Sequence, residues 1–423
     1  MRRWVLRTLG LAVLAILLWL GVGNLVAAYQ EGRARRGWAE TGLSMEEFER
    51  QHPKTAANSL ALAIEAKARV LGFELGLSAE SRKKDRQPGA LDSLYESDLL
   101  QFVSSQISRT DGGPIKELPP ELDAFLKRNS TAIESLEAEI LGSGEIVWPR
   151  AAPGVLDPRF PFSLRFRQLV DVLRLDALEK SRRGDPAGVD RALEAGWKLN
   201  SAYRDHPLVI GQFLAIAIDS NLLAVLRRLA PASDGWGARL AAHDYRRSFL
   251  ASLQGELLFA SAHMKGTEDA EAGLWCRFAG AFVAPFSRIW LASYSNLMRR
   301  AILQLRAQKD PCTLDLDSVV ETLGIHPWNT SAQEALPSLI LGYAATTEAA
   351  LNREVTSRIL EGHNAVGEVA WLKEGGVRSS VCESLMWKVK HGADGAVTLA
   401  PSRPLPRSLG CLVVRWPKPA QKS

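Results

Sequence analysis

Residues 8–30, TLGLAVLAILLWLGVGNLVAAYQ, contain no charged side chain. As a helix this run would rise roughly 34 Å at about 1.5 Å per residue, enough to cross a hydrocarbon core of about 30 Å. Trp4 and Tyr29 stand near its ends, where amphipathic rings favour the membrane interface, and arginines flank both sides. The short tail before it makes N-inside, body-outside the default orientation. Length favours a retained anchor. The alternative is a cleaved signal peptide, because Val26-Ala27-Ala28 offers a small-residue site near Ala28. Either outcome carries the remaining chain out of the cytoplasm.

Charge supports that division. The chain of 423 residues holds 52 basic and 47 acidic side chains, with a pI of about 9.0. Six basic residues and one acidic residue fall within 1–36, so 46 of each sign remain in the rest. A neutral body has no net field to hold phosphates, which argues against a nucleic-acid partner. The composition, 46% hydrophobic and 23% charged, is that of a folded chain too long for one small core.

The pattern divides into an anchor with basic flanks (1–36), a helical exported body (37–380) and a small β-rich tail (381–423). The predicted class is mainly α: an N-terminal transmembrane helix, a bundle or array of amphipathic helices, and a small antiparallel β tail. A short basic linker follows the anchor, and Ser44 and Glu47 have capping-box spacing. Leu60, Ile64, Ala68 and Leu71 form a helical stripe, and ALDSLYESDLLQFVSSQIS is a further amphipathic stretch. RTDGGPIKELPP is a turn-rich break, after which Thr131 and Glu134 suggest a second capping box. Residues 142–161 are irregular and proline-rich, and Ile146, Val147 and Trp148 there suggest a strap laid across the body.

The densest helical region is 162–230. Gly184 should stop one helix, with Asp185 as N-cap and Pro186 at the first position of the next. Within GDPAGVDRALEAGWKLN, Val189, Ala192, Leu193, Gly196 and Leu199 share one side, so the helix looks architectural. PLVIGQFLAIAIDSNLLAVLRRL is apolar nearly all round through Ile218 and reads as a central core helix. Long helices follow near 238–264, 274–308 and 332–362. The run WCRFAGAFVAPFSRIWLASY is interrupted by Arg277, Pro285 and Arg288, which favours core or interface packing over a second membrane span. SLMWKVK, AVTLA and GCLVVRW are β-prone, with a hairpin signal at Asp394-Gly395.

Chemical signatures are sparse. The seven histidines include no H-x-x-x-H pair, and His52, His206 and His326 precede proline, a context for turns and helix starts. Ser81 and Lys84 satisfy S-x-x-K, but in a charged loop that would not lower the lysine pKa. Glu145 and Asp157, near Trp148 and Phe160, have the composition of a sugar-cleaving pair, yet loop carboxylates are ordinarily solvated or capping. No catalytic, cofactor-binding or metal site is assigned, and no cofactor is expected. Cys276, Cys312, Cys382 and Cys411 form no C-x-x-C pair. In an exported chain they permit disulfides, and proximity suggests Cys276 with Cys312 and Cys382 with Cys411. Three connectivities are open, as are four unpaired buried thiols.

The run from Phe160 to Leu229, with GD, LEAGWKLN and HPLVIGQFLAIAI, resembles a group of uncharacterised bacterial single-pass envelope proteins with helical exported bodies. HPKTAANSLALAIEAKARVLGFEL is similar to their post-anchor segment. The resemblance implies an inner-membrane anchor with the body in the periplasm, or a secreted or periplasmic chain after cleavage near Ala28. It implies no activity. The expected partners are the membrane, through residues 8–30, and a protein of the envelope. The expected role is a tethered interaction or structural module, with an envelope hydrolase as the alternative.

Overall fold

Apolar periodicity is realised as helix almost throughout. The computed structural model describes residues 2–40, 45–53, 55–77, 98–108, 113–149, 163–230, 235–266, 274–314, 319, 330–364, 375–392, 397–405 and 414–416. The chain is mainly α-helical, with a small antiparallel sheet near the C-terminus and an apolar N-terminal helix.

Helix α1 spans Arg2–Glu40. Its segment from Val13 is long and apolar enough to cross a membrane, and little of that stretch is buried by protein. The helix does not stop at a linker after the apolar run. Residues 31–40 stay helical because Ala34 and Trp38 are buried against another helix, and burial of one face stabilises a helix more than propensity does.

Short helices α2 (Met45–Gln51) and α3 (Ser59–Val70) follow, then α4 (Leu100–Ile107) and α5 (Pro120–Leu141). The capping box at Thr131 and Glu134 is not used, since both residues lie inside α5. Pro120 at the first turn, with Glu121 and Asp123, starts that helix earlier and lets Leu122, Phe125 and Leu126 reach the core. The strap crosses the body as expected in its described part. Ile146 and Trp148 are buried, Val147 O accepts from Asn58 N at 3.2 Å, and Trp148 O accepts from Thr55 Oγ1 at 3.3 Å.

The central helices are α6 (Ser163–Arg182), α7 (Pro186–Arg204) and α8 (Val209–Leu229). Gly184 takes φ +75°, which a glycine adopts without strain, and Asp185 caps α7 by accepting from Gly188 N at 2.8 Å. α8 packs on α4, α6, α7 and two later helices, α10 (Tyr245–Gly266) and α12 (Thr330–Asn364). The short α9 (Trp236–Ala241) precedes α10, and α11 (Leu274–Ala307), which contains Pro285, lies between α10 and α12 in the chain.

The sheet has four strands in order β1 (Gly376–Arg378), β2 (Met386–His391), β3 (Val397–Pro401) and β4 (Val414–Trp416), all antiparallel. Three lie in the runs singled out from the sequence, and β1 precedes them. The turn at Asp394-Gly395 lies outside the described residues. Trp387, Val397 and Leu399 face inward onto Leu351, Val355 and Ile359 of α12. The tail is therefore a cover on the body's last helix. Cys312 and Cys382 are bonded to each other across 70 residues, a pairing that sequence proximity does not suggest. Both sulfurs are buried where a short turn at Pro311–Thr313 meets the root of the sheet, so fold and not spacing brings them together. The Cys276 side chain and Cys411 lie outside the described residues.

Candidate functional site

Four helices meet around one buried carboxylate. Asn200 and Arg204 are one turn apart on α7, and Asp219 faces them from α8. Asn200 Nδ2 donates to Asp219 Oδ1 at 2.7 Å and to Ala215 O at 2.9 Å. Arg204 reaches the same carboxylate oxygen at 3.1 Å. From α12, Arg353 Nε donates to Asp219 Oδ2 at 2.7 Å, its terminal nitrogen joins the same oxygen, and another donates to His243 O at 3.0 Å. Asp219 is wholly buried and both arginines nearly so. Two guanidinium groups on one carboxylate leave an excess positive charge in the interior, which aromatic faces offset. Trp197 stacks under Arg204 at 3.9 Å, and Tyr245 lies 4.5 Å from Arg353.

Arg353 also lines a cavity of about 600 Å³. His243, Asp244, Arg246, Glu354 and Ser380 line it. These polar groups are bonded to the protein itself. Glu354 accepts from Ser379 Oγ at 2.6 Å, Ser380 N at 2.6 Å and Trp387 Nε1 at 2.9 Å, tying the sheet to α12. Arg246 donates to the Leu305 and Gln308 carbonyls at the end of α11.

Among the described residues, His243 is the histidine that borders this region. Its Nε2 lies 3.1 Å from Ser248 Oγ, and its Nδ1 lies 3.9 Å from Asp205. The order Ser248, His243, Asp205 mimics a nucleophile relay in outline only. A carboxylate at 3.9 Å is beyond hydrogen-bond reach, and Asp205 is exposed. Ser248 is buried, donates to Gln212 Oε1 at 3.0 Å and does not line the cavity. Burial pushes the His243 pKa down to about 4; Asp205 opposes this and Arg353 and Arg204 reinforce it, so the ring is neutral near pH 7. The cluster reads as a bonded core feature.

The residues singled out from the sequence fall elsewhere. Glu145 contributes its carbonyl to Asn58 Nδ2 at 2.8 Å, and Asp157, Ser81 and Lys84 lie outside the described residues. His206 Nδ1 accepts from Leu208 N at 3.2 Å, the capping role its position before proline suggests. His52 contacts Phe48 O through Nδ1 at 3.0 Å. Asp310 approaches both sulfurs of the disulfide, but its carboxylate is taken by Cys312 N and Ser384 N, so no metal set is assigned to this trio. Sequence reading missed Asp219 and Arg353. The available signal was an aspartate inside the apolar run LAIAIDSNLLAVL, which must find a partner if that helix is core.

No family model, no curated protein and no solved structure matches the chain.

Proposed function

We propose that this chain is a membrane-tethered cell-envelope protein whose helical body serves as an interaction or structural module, with the body on the periplasmic side of a bacterial inner membrane. The observation that carries the reading is that the N-terminal helix is built into the body. Ala27, Ala34 and Trp38 are buried, Trp38 Nε1 donates to Ser295 Oγ at 2.7 Å, and Arg288 bonds both Glu31 oxygens at 2.8 Å. Cleavage after Ala28 would strip α11 of its contacts with Trp19 and Gly23, so the reading takes the helix as a retained anchor. The Cys312–Cys382 bridge fits an oxidising compartment. The module reading, over the hydrolase alternative, draws on the cavity wall, whose charges are spent on the fold, and on the absence of Ser248 from it.

Photocrosslinking of the full chain in its own membranes tests this. The expected result is recurrent capture of a specific envelope protein by probes on the body. Recovery of no specific protein partner would count against the module reading, and a disulfide-dependent phosphatase fused after Ser423 that stays inactive, while a cytosolic reporter at the same place is active, would overturn the topology.

A further inference from the structure

Helices α1 and α11 run parallel, and their contacts set a register. Trp19 Nε1 donates to Phe282 O at 2.9 Å, a Cβ on Gly23 would stand 3.0 Å from Pro285 Cβ, and Arg288 reaches Asn24 at 3.0 Å and Glu31 at 2.8 Å. Further along, Trp38 meets Ser295, and Gly37 lies against Arg299. Trp19 is the midpoint of residues 8–30, so Phe282 lies beside the middle of the apolar run. Arg288, six residues on, stands roughly 9 Å nearer the body.

Around Phe282 the surface of α11 is apolar and open. Phe282, Val283 and Phe286 are 40%, 49% and 60% exposed, level with the exposed Leu17, Leu18 and Val22 of α1. Residues 280–287, GAFVAPFS, carry no charge. The inner face of α1 here is built of small residues: Gly23 stands against Pro285, and Ala27, one turn on, is wholly buried, as helices pack where lipid surrounds them. Pro285 has no N–H for the carbonyl four residues back, and its ring opens the preceding turn. The carbonyl so affected is that of Ala281, and the Trp19 indole donates to the next one along, Phe282 O, tying α1 to α11 at the turn that Pro285 opens. Arg288 leaves its backbone within the apolar depth and carries its charge outward to Glu31, twelve residues past Trp19, where the paired side chains are partly exposed.

We infer that residues 280–287 of α11 enter the bilayer beside the anchor, and that lipid acyl chains cover Phe282, Val283 and Phe286. The inference rests on the anchoring reading above, and its test separates the two. A photoreactive p-benzoylphenylalanine is placed in the full chain, in membranes, at Phe286, at Val283 or at Leu17. Phospholipid adducts at all three positions are expected, at comparable yield. Adducts at Leu17, with protein adducts or none at Val283 and Phe286, would overturn the inserted segment and leave the anchor standing. Loss of lipid adducts at Leu17 as well would remove the anchoring reading itself.

Discussion

Two helices of nearly equal hydropathy meet opposite fates in this molecule. The most apolar stretch of α1 has mean hydropathy 1.8 and is 11% buried, whereas that of α8 has mean hydropathy 1.9 and is 61% buried. Apolarity therefore does not decide which helix becomes core. The polar residues do. α8 carries Gln212 and Asp219, both wholly buried, and the fold supplies Arg204 O and His206 O to one and Asn200, Arg204 and Arg353 to the other. α1 carries a single polar residue in mid-run, Asn24, which bonds its own helix at Leu20 O and is met by Arg288. A helix with buried polar groups must be surrounded by protein. One without them is free to face lipid.

The largest effect that would sharpen this contrast is at Asp219. Asp219→Ala leaves two buried guanidinium groups without their carboxylate and should cost about 4 kcal/mol of body stability, read by denaturant unfolding. A loss below about 1 kcal/mol would mean that the network does not hold α8 in place.

Next comes one substitution made in both helices. Leu223 of α8 is fully buried and Leu17 of α1 is 60% exposed. Leu223→Ala should destabilise the body by about 3 kcal/mol, while Leu17→Ala should stay within about 0.5 kcal/mol. Equal losses would break the comparison.

How much of this contrast is legible in the sequence follows from the range of the interactions. The start of α7 at Asp185-Pro186, the apolar run of α8, the strap around Trp148 and three of the four strands depend on neighbours a few residues apart, and all are readable. Thr131 and Glu134 show the limit of local signals: a capping pattern is silent when burial of Leu122 and Phe125 extends the helix through it. The Asp219–Arg353 pair, the Cys312–Cys382 bond and the Trp19–Phe282 contact join residues 134, 70 and 263 positions apart. Nothing in local periodicity specifies such partners. Pro285 and Arg288, which argue against a full membrane span, are the residues that fit α11 to α1.

A smaller effect is expected where α1 passes from exposed to buried. Trp38→Phe removes the indole bond to Ser295 while keeping an aromatic ring, and should cost about 1 kcal/mol by thermal unfolding. No change would detach the end of α1 from the body.

The effect that is smallest at neutral pH, and grows only on acidification, is a dependence on pH near α8. His243 is neutral in the folded chain because burial holds its pKa near 4, well below the ordinary 6.5. An unfolded chain takes up a proton that the folded chain refuses between those values, so this contribution is complete above about pH 6.5 and is lost as pH falls toward 4. His243→Gln should flatten the stability curve over that window. An unchanged slope would place the titration elsewhere.

The central claim is that α1 is a permanent part of the folded molecule, and the intact mass of the protein recovered from carbonate-washed membranes tests it most directly. The account predicts one species that still contains residues 1–28. A species beginning at Tyr29, washed from the membrane as a soluble chain, would contradict it.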